Sequence, residues 1–136
     1  MINRLPLVAA GAIATVGLAL AACGGDEKEP DATIDVSLSS FKVDASATTV
    51  KAGAIKFTAV NAETTDVHEL AVLKVNGPDN FENLGEVEDI DPGKGGDVTL
   101  DLEPGEYLLA CLIAPGEAGS TVDHFQEGMK LTFTVE

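Results

Sequence analysis

Apolar and polar residues alternate along several short stretches of this chain. Every second residue is apolar in residues 33–38, and similar alternation returns in residues 55–59 and 98–102. Residues 107–111 are apolar throughout, and Tyr107, Leu109 and Cys111 are expected to share one face of a further strand. Successive side chains of a β-strand point to opposite faces, so this pattern predicts strands with one buried face. Residues 67–75 are apolar at most positions, which predicts a strand covered on both faces.

Turn-forming residues separate these stretches, notably in residues 91–96 and 103–105. Residues 48–53 predict a short strand followed by a turn, and residues 129–135 predict the last strand. Residues 78–89 are acidic and weakly patterned, so a loop or one helical turn is expected there. With about seven strands and no convincing helix, the pattern predicts an all-β sandwich or barrel.

The N-terminus has the features of a targeting segment. Arg4 precedes an uncharged apolar run over residues 5–20, which is short for a transmembrane helix and typical of a signal peptide. The run ends in Leu20-Ala21-Ala22-Cys23, which resembles the bacterial lipobox. That resemblance implies cleavage before Cys23 and attachment of diacylglycerol to its sulfur. An ordinary secretory signal with a free Cys23 is the other reading.

These features divide the chain into three parts. We expect a lipoprotein signal peptide over residues 1–22, a lipidated Cys23 with a flexible tether over residues 23–32, and a folded domain over residues 33–136. The tether is rich in Gly, Pro and charged residues and has no apolar periodicity. The expected location is the extracytoplasmic side of the cell membrane, with acyl chains on Cys23 as the membrane contact.

Charge excludes some partners. The 136 residues carry a formal net charge of −15 at pH 7, and all acidic residues follow residue 22. Nucleic acid and anionic lipid head groups would repel such a surface, so neither is an expected partner. A solvated acidic surface that aids solubility is the simplest reading.

Four residues could supply soft metal ligands. The chain has only two cysteines, and lipidation of Cys23 leaves Cys111 without a disulfide partner. His68, His124 and Met129 add two imidazoles and a thioether, and with a thiolate these are the ligand types of soft copper sites. Each also has a structural reading: Cys111 and Met129 as core residues, His68 as a hydrogen-bonded core or rim residue, His124 as an exposed loop residue.

The spacing of these residues resembles that of the cupredoxin family, the blue copper proteins. The resemblance rests on Tyr107-x-x-x-Cys111, His124-x-x-x-x-Met129 and an upstream Val67-His68-Glu69. It implies a Greek-key β-sandwich in which His68, Cys111, His124 and Met129 bind copper. The implied function is one-electron transfer or copper handling, with a redox or copper-delivery protein as partner.

One feature departs from the family pattern. Twelve residues, 112–123, separate Cys111 from His124, where family members have only a few. A non-metal interaction module with a degenerate copper site therefore remains a second reading. The nearby acids Asp66, Glu69 and Asp123 could supply oxygen ligands or contacts to the histidines, but the default expectation is that they are solvated charges. The chain has neither a Gly-rich phosphate loop nor a Gly-x-Ser-x-Gly motif, so we do not expect an enzyme.

Overall fold

The structure is a computed structural model that describes residues 28–136. These residues form nine β-strands and no helix. The strands are β1 (Ala32–Ser39), β2 (Lys42–Ala45), β3 (Thr49–Val50), β4 (Gly53–Asn61), β5 (His68–Val75), β6 (Phe81–Ile90), β7 (Gly95–Leu102), β8 (Gly105–Ala110) and β9 (Lys130–Val135). Nothing among residues 28–136 is both helical and long and apolar enough to cross a membrane.

Two sheets pack face to face. One has the strand order β2-β1-β4-β7 and the other β3-β9-β8-β5-β6. β1 runs parallel to β4 and β3 runs parallel to β9, while the other paired strands are antiparallel. The inner faces meet in one apolar core, whose largest fully buried side chains include Tyr107, Phe57, Phe133, Leu38, Ile55, Leu70 and Leu109. The prediction of an all-β sandwich is confirmed.

Alternation correctly identified the buried faces. Ile34, Val36 and Leu38 of β1 are buried while the residues between them are exposed. β5 is covered on both sides, as its apolar run predicted. Its residues Leu70 and Val72 lie in the main core, and Ala71 and Leu73 form a second apolar cluster with Ala110 on the outer face.

The expectation for residues 78–89 is wrong, because Phe81–Ile90 is the ten-residue strand β6. β6 is the edge of its sheet, pairs along its length only with β5, and exposes most of its side chains. Charged residues on an edge strand discourage pairing with other chains, and they also hide the apolar alternation. A second difference is that the chain reverses after Ser39, so β2 pairs with β1 as a separate strand. The count is therefore nine strands rather than seven.

Strand directions bring the candidate ligands to one end of the sandwich. β5 and β9 both run antiparallel to β8. The start of β5, the end of β8 and the start of β9 therefore lie at the same end of the sheet. His68 is the first residue of β5, Cys111 directly follows β8, and Met129 directly precedes β9.

The N-terminal side of the domain is fixed just before β1. Asp31 donates its backbone N–H to the Ala54 carbonyl (2.7 Å), and its carboxylate accepts the Ala54 N–H (2.8 Å). The predicted signal peptide, residues 1–22, and the predicted lipidation site Cys23 lie outside the described residues. Their assignment stays a prediction.

Candidate metal centre

Three side-chain donor atoms converge beneath the surface at this end of the sandwich. The Nδ1 atoms of His68 and His124 are 3.3 Å apart, and the Cys111 Sγ lies 3.4 Å from the His124 Nδ1. One donor atom from each of the three residues lies within 4.8 Å of the others. The side chains are 1 %, 0 % and 4 % exposed for His68, Cys111 and His124. The structure thus brings together three of the four predicted ligands in a buried cluster.

The separations fit binding to one shared ion. Metal bonds are about 2.0 Å to imidazole nitrogen and about 2.3 Å to thiolate sulfur, taking zinc values as a guide. At angles near 110°, such bonds place neighbouring donor atoms about 3.3–3.5 Å apart. The observed 3.3 Å and 3.4 Å match this spacing. The cluster has the donor types and the approximate size that a soft metal ion needs.

The long connection from Cys111 to His124 does not carry His124 away. The His124 backbone N–H donates to the Ile113 carbonyl (2.9 Å), which closes residues 114–123 into a separate loop. We call residues 114–123 the excursion. Gly116 and Gly119 have φ angles of 94° and 79°, a backbone region that favours glycine, and they let the excursion turn back. Because its two ends are joined, the path from Cys111 to His124 is effectively short.

Met129 is held next to the cluster by its backbone. Its N–H donates to the His124 carbonyl (3.0 Å), and its carbonyl accepts the Cys111 N–H (3.1 Å). The side chain is fully buried in the apolar core that also contains Cys111. Met129 therefore lies at the same end of the sandwich as the three converging residues, and its assignment as a weak axial ligand stays a prediction.

Burial sets the protonation states of the cluster. Burial, and to a lesser extent the nearby His124, lowers the pKa of His68, and burial also lowers the pKa of His124. Burial raises the pKa of the Cys111 thiol. Near neutral pH both imidazoles are uncharged and offer lone pairs. On binding a metal ion, the neutral thiol would release its proton to solvent, because a coordinated thiol is deprotonated.

Two polar residues that the sequence analysis did not assign to the site hold its backbone. Glu69 accepts the Leu112 backbone N–H on its carboxylate (2.9 Å), which ties β5 to the residue after Cys111. Burial is the main cause that raises the pKa of the Glu69 carboxyl. The default expectation of a solvated charge is therefore wrong for Glu69, and its supporting contact is made to the backbone of Leu112. The alternation of β5 places Glu69 on the face opposite His68, but it does not reveal the contact with Leu112.

The buried Asn61 at the end of β4 is the second such residue. Its Nδ2 donates to the carbonyls of Asp66 and Ile90, both at 2.8 Å, and its Oδ1 accepts the Glu63 N–H (2.9 Å). These bonds fix the segment that enters β5, and His68 follows two residues after Asp66. Asn61 thereby links the first sheet to the position of a candidate ligand.

An aromatic side chain covers the outer side of His124. The Phe41 ring meets the His124 ring edge to face, with centroids 5.4 Å apart and planes at 88°. Phe41 is 39 % exposed, and its φ of 52° lies in a region that bulky residues rarely adopt. A cleft of about 330 Å³ opens beside it; its lining is Ser40, Phe41, Asp66, His68, Gly119, Ser120, Thr121, Val122 and His124. His68 and His124 thus lie in the wall of a cleft that opens beside the cluster.

Comparison with known proteins gives one family and several solved structures. Residues 12–122 match the sequence model of a family described as "Cupredoxin-like domain". Sodium-dithionite-reduced auracyanin from the photosynthetic bacterium Roseiflexus castenholzii is similar with a TM-score of 0.61 and 21% identity, over 77% of this chain and 96% of that chain. Rusticyanin from Thiobacillus ferrooxidans is similar with a TM-score of 0.56 and 15% identity, over 79% of each chain. A comparison with curated protein sequences gave no match.

These matches support the fold, and the site rests on the geometry described above. Both structural neighbours share too little sequence with this chain to transfer individual residues. The family match ends at residue 122, before His124 and Met129. The convergence of His124 with His68 and Cys111 is therefore an observation of this structure alone. The β-sandwich that the resemblance implied is confirmed.

Proposed function

Because this chain belongs to the family of cupredoxin-like domains, we propose that it binds one copper ion through His68, Cys111 and His124 and transfers single electrons. Members of this family bind copper, and the chain has a His–Cys–His cluster that could hold a metal ion. Met129 is the proposed fourth ligand, a weak axial thioether. When bound, copper would supply a one-electron change between Cu(I) and Cu(II).

The convergence of three buried donor atoms is the observation that carries this proposal. A thiolate with two imidazoles is the trigonal donor set of blue copper sites, and it suits copper better than harder cations. His68, Cys111 and Met129 lie at strand ends. Backbone hydrogen bonds tie Met129 to both Cys111 and His124. Such ties restrict ligand movement between oxidation states, which favours electron transfer.

Burial favours electron transfer over copper delivery and over catalysis. A protein that hands copper to a partner needs accessible ligands, whereas His68 and Cys111 are 1 % and 0 % exposed. A catalytic metal site keeps an open coordination position for substrate. Here the donor atoms face one another in the interior, so we propose no enzymatic role. An electron carrier requires a redox protein as partner, and the copper-handling alternative requires a protein that receives copper.

Titration with Cu(II), followed by visible absorption, tests the proposal. The protein would start at residue 23 with Cys23→Ser, so that Cys111 is the only thiol. We expect one-to-one binding with an intense thiolate-to-copper band. Tight colourless binding would favour copper handling instead. No binding would leave the non-metal interaction module as the better reading, with the excursion as the surface to examine.

We also propose that the mature protein is anchored outside the cytoplasm by acyl chains on Cys23. The support is the sequence Leu20-Ala21-Ala22-Cys23 after an apolar run, in the part of the chain outside the described residues. Two or three acyl chains hold a protein to a membrane firmly, whereas one gives only marginal binding.

Replacing Cys23 with alanine should abolish both lipid attachment and cleavage of residues 1–22. Cys23 is the proposed acceptor, and processing at a lipobox depends on that sulfur. Mass spectrometry of the protein expressed in a bacterium would show the full-length unmodified chain. Cys111→Ala is the matched control and should be processed normally. Normal acylation of Cys23→Ala would refute the anchor.

A further inference from the structure

We propose that Ser120 is a positioning residue that fixes His124 in the tautomer with its proton on Nε2. The Nδ1 lone pair then faces the donor atoms of His68 and Cys111. The functional value of this role depends on the proposed copper site. The tautomer itself follows from hydrogen bonds that need no metal.

The Ser120 hydroxyl has three polar neighbours. Its Oγ lies 2.9 Å from the Val122 carbonyl, 3.2 Å from the Val122 backbone nitrogen and 3.1 Å from the His124 Nε2. A carbonyl only accepts hydrogen bonds and a backbone N–H only donates them. The third neighbour, a neutral imidazole nitrogen, can do either.

Counting protons decides the direction of the third bond. A serine hydroxyl has one proton to donate and two lone pairs that accept. Donation to the Val122 carbonyl, the shortest of the three contacts, uses the single proton. The Val122 N–H fills one lone pair, so His124 must donate its Nε2–H to the other. This is the arrangement in which all three neighbours of Ser120 are satisfied.

The other tautomer would oppose metal binding. With its proton on Nδ1, His124 would point an N–H at the His68 Nδ1 and the Cys111 Sγ, which are 3.3 Å and 3.4 Å away. That proton would occupy the position of the proposed ion. Holding the proton on Nε2 keeps the Nδ1 lone pair available, which is how second partners of ligand histidines act at metal sites.

Hydrogen bonds within the excursion fix the position of the Ser120 hydroxyl. The Ser120 N–H donates to the Glu117 carbonyl (2.8 Å), and its carbonyl accepts the Gly116 N–H (2.8 Å). The Glu117 carboxylate in turn accepts the Ala114 N–H (2.9 Å). These bonds hold residues 114–120 in a turn that returns Ser120 to the Nε2 atom of His124. The added length between Cys111 and His124 therefore contributes a partner to the ligand that follows it.

Long-range ¹H–¹⁵N spectra of the metal-free protein at pH 8 test the proposal directly. The chain has two histidines, so a His68→Gln variant assigns both imidazole patterns. We expect His124 to show a protonated Nε2 and a bare Nδ1 in the unmodified protein, and a mixture of tautomers in Ser120→Ala. Ser120→Thr keeps the hydroxyl and should restore the single tautomer. Thr121→Val, which changes another residue lining the cleft, is the matched control and should resemble the unmodified protein.

Copper affinity gives the second readout. Competition with a Cu(II) chelator should show affinity about 10-fold or more lower for Ser120→Ala than for Ser120→Thr, the usual range for loss of an outer partner. An unchanged His124 pattern in Ser120→Ala, or a protonated Nδ1 in the unmodified protein, would overturn the role of Ser120. If the tautomer shifts but no variant binds copper, the inference about Ser120 stands and the proposed copper site fails.

Discussion

Replacing Cys111 with alanine should remove the intense visible band of the copper-loaded protein and lower its copper affinity more than about 100-fold. Loss of an outer partner alone typically lowers affinity about 10- to 100-fold, and Cys111 is the proposed charged ligand itself. The band arises from charge transfer between thiolate and copper, so no other residue of the site can replace it. Visible absorption and chelator competition would measure both effects.

Met129→Leu is the matched comparison for this prediction. It also changes a proposed ligand, but the axial thioether bond is weak and the leucine fills a similar volume. We expect the band to persist in that variant with a shifted maximum. Far-ultraviolet circular dichroism would verify that Cys111→Ala keeps its sheets. A band that survives in folded Cys111→Ala would refute the ligand assignment.

The fold was largely predictable because burial in a two-layer sandwich follows strand alternation. Tyr107, Leu109 and Cys111 share the inner face of β8 and its extension, as their spacing predicts. β6 was not predicted, because an edge strand buries few of its side chains. Of its ten residues Phe81–Ile90, only the last is buried. Where few side chains enter the core, the periodic signal that reveals a strand is absent.

The ligand types were visible in the sequence, but their convergence was not. The twelve residues between Cys111 and His124 left open whether the second imidazole lies near the thiol. One backbone hydrogen bond, from His124 to Ile113, removes that distance. This hydrogen bond forms only if the excursion folds back on itself, and that conformation cannot be predicted from the composition or spacing of its residues.

The residues that support the ligands were not predicted, because their partners are distant in sequence. Glu69 binds the backbone of Leu112, 43 positions away, and Asn61 binds Ile90, 29 positions away. A polar residue in a strand pattern is ordinarily taken as solvent-facing. These contacts become visible only when β5 is paired with β6 and β8 and the two sheets are packed face to face.

Of these two supporting residues, Asn61 makes more hydrogen bonds and is more deeply buried. It is fully buried, and its amide satisfies the carbonyls of Asp66 and Ile90 and the N–H of Glu63. A buried polar group that loses its partner costs about 1–3 kcal/mol. The two carbonyls belong to the segment before His68 and to the end of β6. Loss of the hydrogen bonds to them would loosen the segment that positions His68.

Replacing Asn61 with alanine should therefore lower the free energy of unfolding by about 3 kcal/mol or more and weaken copper binding. Asn61→Asp should be nearly as harmful, because it keeps the acceptor but removes the donor to both carbonyls. Urea unfolding monitored by circular dichroism measures the stability. Asn83→Ala is the matched control; its exposed amide contacts Glu86 and Gly85, and its loss should cost under about 0.5 kcal/mol. Equal stability losses at Asn61 and Asn83 would show that Asn61 does not hold the site together.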